Sequence, residues 1–508
     1  MYGNIISSNI DIQRKEIFRK DFIMIFSIKN IGIIKSADVK MDGLTVISGA
    51  NNSGKTTVGK ALYSIVSATE DLKEKQDIDQ AEAIYNRIRK IADVFSHLMR
   101  AYDPRSLFFS FDMETAKDIV EEIWYIKNED YRGQNNFAYY KVLLYEFYEK
   151  IVTDEFLDLA LKDIKDKKGL SLELQRKIKI EWKENKDSAL KQCKSAMDFI
   201  SSVQSSKKFA LKMIDRALQE EFLGQVQSMT LMNEIEEESS LRLREESGKE
   251  FFNISLNDHS VNMQRSRFEE SYFKQGYFVD DPYVIENNMP MFRFMRMRNR
   301  TTGKMSYTES TVLPHREKMN QWLKINIQAE KGISESLYKD KQIADVMEKI
   351  NAIVPGNISK DTYIDSGRRI KVGNLATGSK VFSIIKNILE KGNIDEESLL
   401  VLDEPESHLH PRWINALAEV LVLLVKECNI TVLLTTHSPN FLLAIDALMR
   451  KYDIRKNCHF YQTEKLEDDF RVQYVEKTDD LDEVYAEYAR AFSQMNAMRK
   501  KYMASEES

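Results

Sequence analysis

The sequence predicts an α/β fold, a mixed or parallel sheet flanked by helices, with a large helical insertion. Three observations predict it. Near the start, short β-branched runs meet a glycine-rich turn and then a helical pattern. From residue 345 onward, short apolar strands alternate with helical stretches, the pattern of a parallel sheet with helices on its faces. Between these parts, from about residue 69 to 222, charges are dense and apolar residues recur at helical spacing.

Each element follows from its residues. Residues 25–28 and 44–47 are short apolar strands, with Asp42-Gly43 as turn punctuation. A helix is expected from about residue 55 to 67. Ile84, Ile88, Ile91 and Phe95 mark a helical face, and residues 139–151 and 172–182 behave alike. Heptads are not clean, so the insertion reads as a bent helical lobe rather than a coiled coil. Strands are expected at 240–243, 252–256 and 276–279, with turns at Gly248 and Asn257-Asp258. Further strands at 399–402, 431–434 and 459–461 alternate with helices after Pro411 and Pro439. The expected organisation is an N-terminal extension (1–23), a first lobe (24–68), a helical insertion (69–215), a β-rich connecting part (216–340), and a last part with a helical tail (341–508). Met24 directly precedes the first clear strand, which is why residues 1–23 read as an extension.

Composition narrows the function classes. At 508 residues, 43% hydrophobic and 30% charged, the chain can bury a core, which excludes wholesale disorder. Lys plus Arg number 74 against 80 Asp plus Glu, a net −6, so a polybasic partner mode is excluded but a local basic groove is not. Only 18 Gly and 8 Pro favour long helices. Cys193, Cys428 and Cys458 form no CxxC, so neither zinc nor a disulfide framework is implied and a reducing cytoplasm is the natural setting. The apolar run at 420–425 is far shorter than the roughly 20 residues that span a bilayer, and no signal-peptide core opens the chain. No membrane partner is expected.

Gly49-Ala50-Asn51-Asn52-Ser53-Gly54-Lys55-Thr56 fits G-x-x-x-x-G-K-[ST] at every position. The chemistry needs this spacing. Backbone N–H groups of Gly49, Asn51, Asn52, Ser53 and Gly54 can wrap phosphates, and Lys55 reaches the terminal ones. Thr56 offers Mg²⁺ a hydroxyl, and Thr57 follows in the first helical turn. Leu399-Leu400-Val401-Leu402-Asp403-Glu404 is an apolar strand ending in two carboxylates. A buried parallel strand delivers them to the sheet edge where ligands bind. Asp403 then suits Mg²⁺, and Glu404 suits polarising a water against a γ phosphate. Thr435-Thr436-His437-Ser438-Pro439 closes another strand, placing His437 beside Glu404 at the same edge.

The loop at Gly49, the run Asp403-Glu404-Pro405-Glu406 with Leu409-His410-Pro411, and His437 together resemble an ABC-type P-loop ATPase head. The resemblance is to the SMC/RecF/OLD-like branch, often labelled AAA ATPases. It implies ATP and Mg²⁺ as ligands, with Glu404 and His437 catalytic. It also implies a signature loop, for which Leu375-Ala376-Thr377-Gly378-Ser379-Lys380 stands in place. In the family that loop closes on the γ phosphate of a second head, so Leu375, Thr377, Gly378 and Ser379 are candidate nucleotide contacts. Ala376 stands where Ser is usual. A glutamine loop that senses Mg²⁺ and γ phosphate is implied too, with Gln225 the candidate and an exposed helix-end glutamine the alternative.

The resemblance implies a homodimer or higher oligomer through ATP-sandwiched heads. Among such proteins the chain is most similar to the PtuA-type ATPases of bacterial anti-phage defence, in Septu and retron-associated systems. There the ATPase senses infection and controls a separate nuclease. Two alternatives stay open: a DNA repair ATPase clamping DNA ends, and a slow-hydrolysing scaffold caging a toxic partner. Arg293, Arg296, Arg298 and Arg300, interleaved with Phe292, Phe294 and methionines, suit nucleic-acid or partner contact, or a half-exposed strand. Asp280-Asp281-Pro282 suits a capping turn or a metal pair.

Overall fold

The computed structural model describes residues 22–73, 171–201, 205–227, 238–286, 312–325, 343–359, 361–392, 394–467 and 469–506, with isolated positions between 75 and 161. The arginine stretch at 293–300 lies outside the described residues, as do residues 1–21 and most of 80–170. The chain divides into two compact units, Met1–Asp71 with Ala210–Ser508, and Leu72–Phe209. In the second unit the long described helix is α2 (Leu172–Ser201), with Ile178, Trp182, Ala189, Cys193 and Ala196 buried along one face.

The first unit begins with β1 (Met24–Ile31), β2 (Ile34–Lys40), β3 (Leu44–Ser48) and α1 (Lys55–Thr69). After α3 (Ser206–Glu221) come β4 (Ser239–Glu245), β5 (Glu250–Asn257), β6 (Ser260–Val261), β7 (Arg267–Phe268) and β8 (Gln275–Val279). Then follow α4 (His315–Ile325), α5 (Ala344–Ile353), β9 (Asn357–Ser359), β10 (Thr362–Asp365), β11 (Arg368–Lys371) and α6 (Thr377–Lys391). The last part holds β12 (Ser398–Asp403), α7 (Pro411–Cys428), β13 (Thr431–Thr436), α8 (Pro439–Lys451), β14 (Cys458–Lys465), β15 (Val472–Glu476) and α9 (Leu481–Glu506).

The expected mixed sheet flanked by helices is present. Its order is β6-β5-β4-β1-β2-β15-β14-β3-β13-β12-β8, with β7 paired to β5. From β14 through β3, β13 and β12 to β8 every pairing is parallel. The wing of β2, β1, β4 and β5 is antiparallel. All residues of β3 and β13 are buried, as parallel strands covered on both faces must be.

Alternation sorts the two faces. Leu44, Val46, Leu400, Leu402, Val432 and Leu434 join one cluster with residues of α5, α6, α7 and α8. Val401 and Phe278 point the other way, where a Cβ on Gly59 of α1 would fall 2.8 Å from Val401 Cγ1 and 3.5 Å from Phe278 Cζ. Each buried Leu or Val contributes about 1.5–3 kcal/mol. The helices after the strands start where the sequence says. Pro411 and Pro439 occupy first-turn positions, and the Ser438 hydroxyl accepts from Phe441 N at 3.3 Å. Among the described residues no helix is long and apolar enough to cross a membrane.

Candidate functional site

Parallel pairing brings four strand ends to one edge of the sheet. Thr435 lies opposite both Ile47 and Asp403, and Thr436 lies opposite Ser48. The loop after β3, the acidic pair after β12 and His437 after β13 therefore emerge side by side, and Asp280 after β8 comes next along the edge. Gly54 closes the loop with φ 78°, a left-handed conformation that costs a side-chain-bearing residue about 1–2 kcal/mol. The hydroxyl of the half-buried Tyr474 of β15 donates to Gly54 O at 2.9 Å, tying the loop to the sheet. Burial, with the charge of Asp403, raises the Tyr474 pKa well above its usual value, so it stays a donor.

Lys55 is 5% exposed and donates to Gly49 O at 3.1 Å and Ala50 O at 2.9 Å. Its ammonium also lies 3.3 Å from Glu404 Oε1. The other oxygen, Glu404 Oε2, lies 3.1 Å from His437 Nδ1. Glu404 has φ 47°, a strained turn held by its N–H donating to Thr435 O at 3.1 Å. Thr56 Oγ1 donates to Asp403 Oδ2 at 2.7 Å, and Thr435 Oγ1 donates to Asp403 Oδ1. A hydroxyl and a carboxylate at this spacing are the hard oxygen donors that Mg²⁺ takes beside substrate phosphates. The donor set and the backbone cradle before α1 thus fit ATP with Mg²⁺. Asn51 and Asn52 are exposed, Ser53 is buried with its hydroxyl on Ala50 O at 2.7 Å, and Thr57 is half-buried.

A family of AAA ATPase domains matches residues 22–442. The chain belongs to this AAA ATPase family. Solved structures similar to it include the SMC head domain from Thermotoga maritima, at 10% identity over 90% of this chain and 98% of that one, TM-score 0.28. An SMC head bound to the C-terminal winged-helix domain of ScpA matches at 10% identity, covering 90% and 97%, TM-score 0.32. An SMC head with an extended coiled coil, bound to the C-terminal domain of ScpA derived from Pyrococcus furiosus, matches at 11%, covering 92% and 99%, TM-score 0.26. No curated protein matches the chain.

In this AAA ATPase domain the signature candidate opens α6. Ala376 is its N-cap and makes no side-chain capping bond. Gly378 is closed to any side chain, since a Cβ would fall 2.7 Å from the Trp413 ring and 2.9 Å from Leu409 Cδ2. Lys380 is buried, with Glu286 Oε1 at 2.6 Å and the Tyr283 ring 4.5 Å away. Thr377 Oγ1 meets Tyr283 OH at 3.2 Å. Leu375, Thr377 and Ser379 are half-exposed. Among the described residues these contacts anchor the loop to Tyr283, Leu409 and Trp413 rather than to the Lys55 loop. Gln225 is exposed, in the turn after α3. Its neighbour Val226 accepts from Gly32 N at 3.0 Å, and Gly32 backs onto Thr57, so the turn lies close to the start of α1.

Sequence reasoning missed several partners. Thr435 holds Asp403, and Tyr474 holds the loop; the paired threonines before His437 were the available signal. Asp281 caps a short 3-10 turn by accepting from Tyr283 N at 2.8 Å. Asp280 binds Arg316 at 2.6 Å and lies 3.0 Å from His315 Nε2. His315 Nδ1 meets Glu221 Oε1 at 2.6 Å, and Lys60 of α1 stands 3.6 Å from the same oxygen. The His315 ring stacks on Phe278 at 4.2 Å.

Burial opposes charge in this buried cluster, and the partners overcome it. His315 is raised by Asp280 and Glu221. Asp280 is held down at about 2 by His315 and Arg316, and Glu221 is lowered by His315 and Lys60. The His315 contribution to stability is full below its unfolded value near 6.5 and is lost as pH rises through the raised folded value. The carboxylate contributions are full above about 4.3 and are lost as pH falls through the depressed values. Melting temperature should therefore fall from about pH 6.5 upward. The variant His315→Gln should flatten that alkaline fall; an unchanged slope in this variant would show that His315 is not its source.

Proposed function

We propose that this AAA ATPase domain is an ABC-type ATPase that binds ATP with Mg²⁺ and hydrolyses it. One observation carries the reading: Lys55, Thr56, Asp403, Glu404 and His437, drawn from three parallel strand ends, converge in direct contact. Lys55 moves from the carbonyls of Gly49 and Ala50 to the β and γ phosphates. Thr56 and Asp403 would hold Mg²⁺, which would supply charge neutralisation at the phosphates. Glu404 draws a proton from the attacking water, while His437 orients Glu404 and donates to the γ phosphate. Gln225, in the turn close to the start of α1, would sense the metal and γ phosphate.

The first turn of α6, with Thr377, the backbone of Gly378 and Ser379, serves the nucleotide of a second copy. Its anchoring to Tyr283, Leu409 and Trp413 supports this assignment. On the larger scale we assign the chain to a bacterial anti-phage defence system, as the ATPase that senses infection and controls a separate nuclease. The organisation into head segments around a helical insertion at 69–215 belongs to the same reading. Ala376, which brings no hydroxyl to the N-cap, favours a second reading: an ATP-bound scaffold with slow turnover.

Phosphate release by the purified protein tests the proposal. Turnover should require Mg²⁺ and stop with a chelator. Metal-independent turnover would remove Thr56 and Asp403 from their roles. Strong stimulation by DNA ends would instead favour a DNA-clamping ATPase.

A further inference from the structure

Glu406 is a buried acid that the proposed chemistry does not use. It lies on the turn after β12, two residues beyond Glu404, and is 4% exposed. The turn is tightly bonded: Ser407 N donates to Glu404 O at 3.1 Å, and Leu409 N to Glu406 O at 2.9 Å. Glu406 Oε1 accepts from the hydroxyl of Thr436, a fully buried residue at the end of β13. That hydroxyl also accepts from Ser438 N at 3.0 Å. The hydroxyl thus accepts from Ser438 N–H with one lone pair and gives its single proton to Glu406.

This bond joins two turns remote in sequence. One carries Glu404; the other is residues 436–438, with His437 between the two ends of the bonded chain. Glu404 and His437 meet at 3.1 Å in front of it. The brace is costly. Glu406 Oε2 is buried with no hydrogen-bond partner among the described residues, and burial pushes the carboxyl above the usual carboxylate range. An apolar side chain would fill the site without that cost. The position is therefore better explained by what the carboxyl orients than by stability.

We propose that Glu406 is a positioning residue for hydrolysis: through Thr436 it fixes the His437 turn against the Glu404 turn and sets the geometry of the Glu404–His437 pair. The proposal rests on the catalytic reading of that pair given above.

The test compares Glu406→Leu, Glu406→Gln and Thr436→Val with wild type and Glu404→Gln, measuring kcat, ATP affinity and melting temperature. Glu406→Leu and Thr436→Val should each lower kcat about tenfold or more, since a misplacement of about 1 Å costs up to about 10²-fold. ATP affinity should not change. Glu406→Gln keeps an acceptor for Thr436 and should recover most of the rate. The double variant Glu406→Leu with Thr436→Val should be no slower than Thr436→Val alone, because the Thr436–Glu406 bond that Glu406→Leu removes is already gone there. Thr436→Val replaces a hydroxyl by a methyl and carries the test if Glu406→Leu does not fold. A wild-type kcat in folded Thr436→Val beside an inactive Glu404→Gln would overturn this inference alone. Glu406→Gln as slow as Glu406→Leu would do the same. Normal turnover by Glu404→Gln would overturn the catalytic reading, and this inference with it.

Discussion

Glu404→Gln is expected to bind ATP as the wild type does and to hydrolyse it at least ~10²-fold more slowly. The loss amounts to about 2.7 kcal/mol of transition-state stabilisation. Its cause is local. Glu404 is the carboxylate that faces both the Lys55 ammonium, 3.3 Å away, and the His437 ring, 3.1 Å away. An amide fills the same space and can still bond His437, so the turn at φ 47° survives. What disappears is the negative charge that accepts a proton from water. The variant should therefore accumulate in its ATP-bound, closed assembly. Lys55→Ala has the opposite signature. It deletes the positive charge next to the phosphates, so nucleotide affinity should fall before any chemistry. Calorimetry with ATP separates the two: intact binding in Lys55→Ala would count against the loop, and normal turnover in Glu404→Gln against the base.

The parts of this architecture legible in the sequence are those where local pattern and tertiary role coincide. The strands β3, β12 and β13 are rich in buried apolar residues because both faces are covered, and each ends in the chemistry it delivers. The glycine loop is local by nature, so its spacing alone placed it before α1. In the antiparallel wing β1, β4 and β5 were legible at 25–28, 240–243 and 252–256, and β2 was not. The strand β2 alternates buried and exposed residues and contains Lys, Ser and Asp, so no apolar run marks it. The strand β15 and the small sheet β9 to β11 are short and half-exposed, with the same result. The contacts that hold the site were hidden for another reason. Thr435 to Asp403, Tyr474 to Gly54 and His315 to Glu221 join residues far apart in sequence; strand register sets the first, and the packing of loop and helix ends brings the other two together.

The second large effect concerns where a complete site is assembled. The first turn of α6 lies more than 300 residues after Lys55 in sequence. In the proposed assembly each signature turn meets the γ phosphate bound by the other copy. Gly378 is unsuitable as a probe, because any side chain there would strike Trp413 and Leu409. Ser379 is half-exposed in the first turn of α6, where a carboxylate is favourable to the helix itself. Ser379→Glu should therefore fold, yet it sets a negative charge facing the neighbour's γ phosphate. At about 4 Å and an effective dielectric near 20, each like-charge pair costs about 4 kcal/mol. Turnover should fall by about three orders of magnitude, while ATP binding at the Lys55 loop stays intact. Mixing Ser379→Glu with Lys55→Ala then reads the geometry directly. An exchanged dimer contains one site with an intact loop and an intact signature turn, and that site should restore a fraction of the ATPase rate. If each site draws both halves from one chain, mixing restores nothing, because every chain then carries one broken half. A monomer verified at the assay concentration, turning over at full rate independent of dilution, would place the whole site within a single chain.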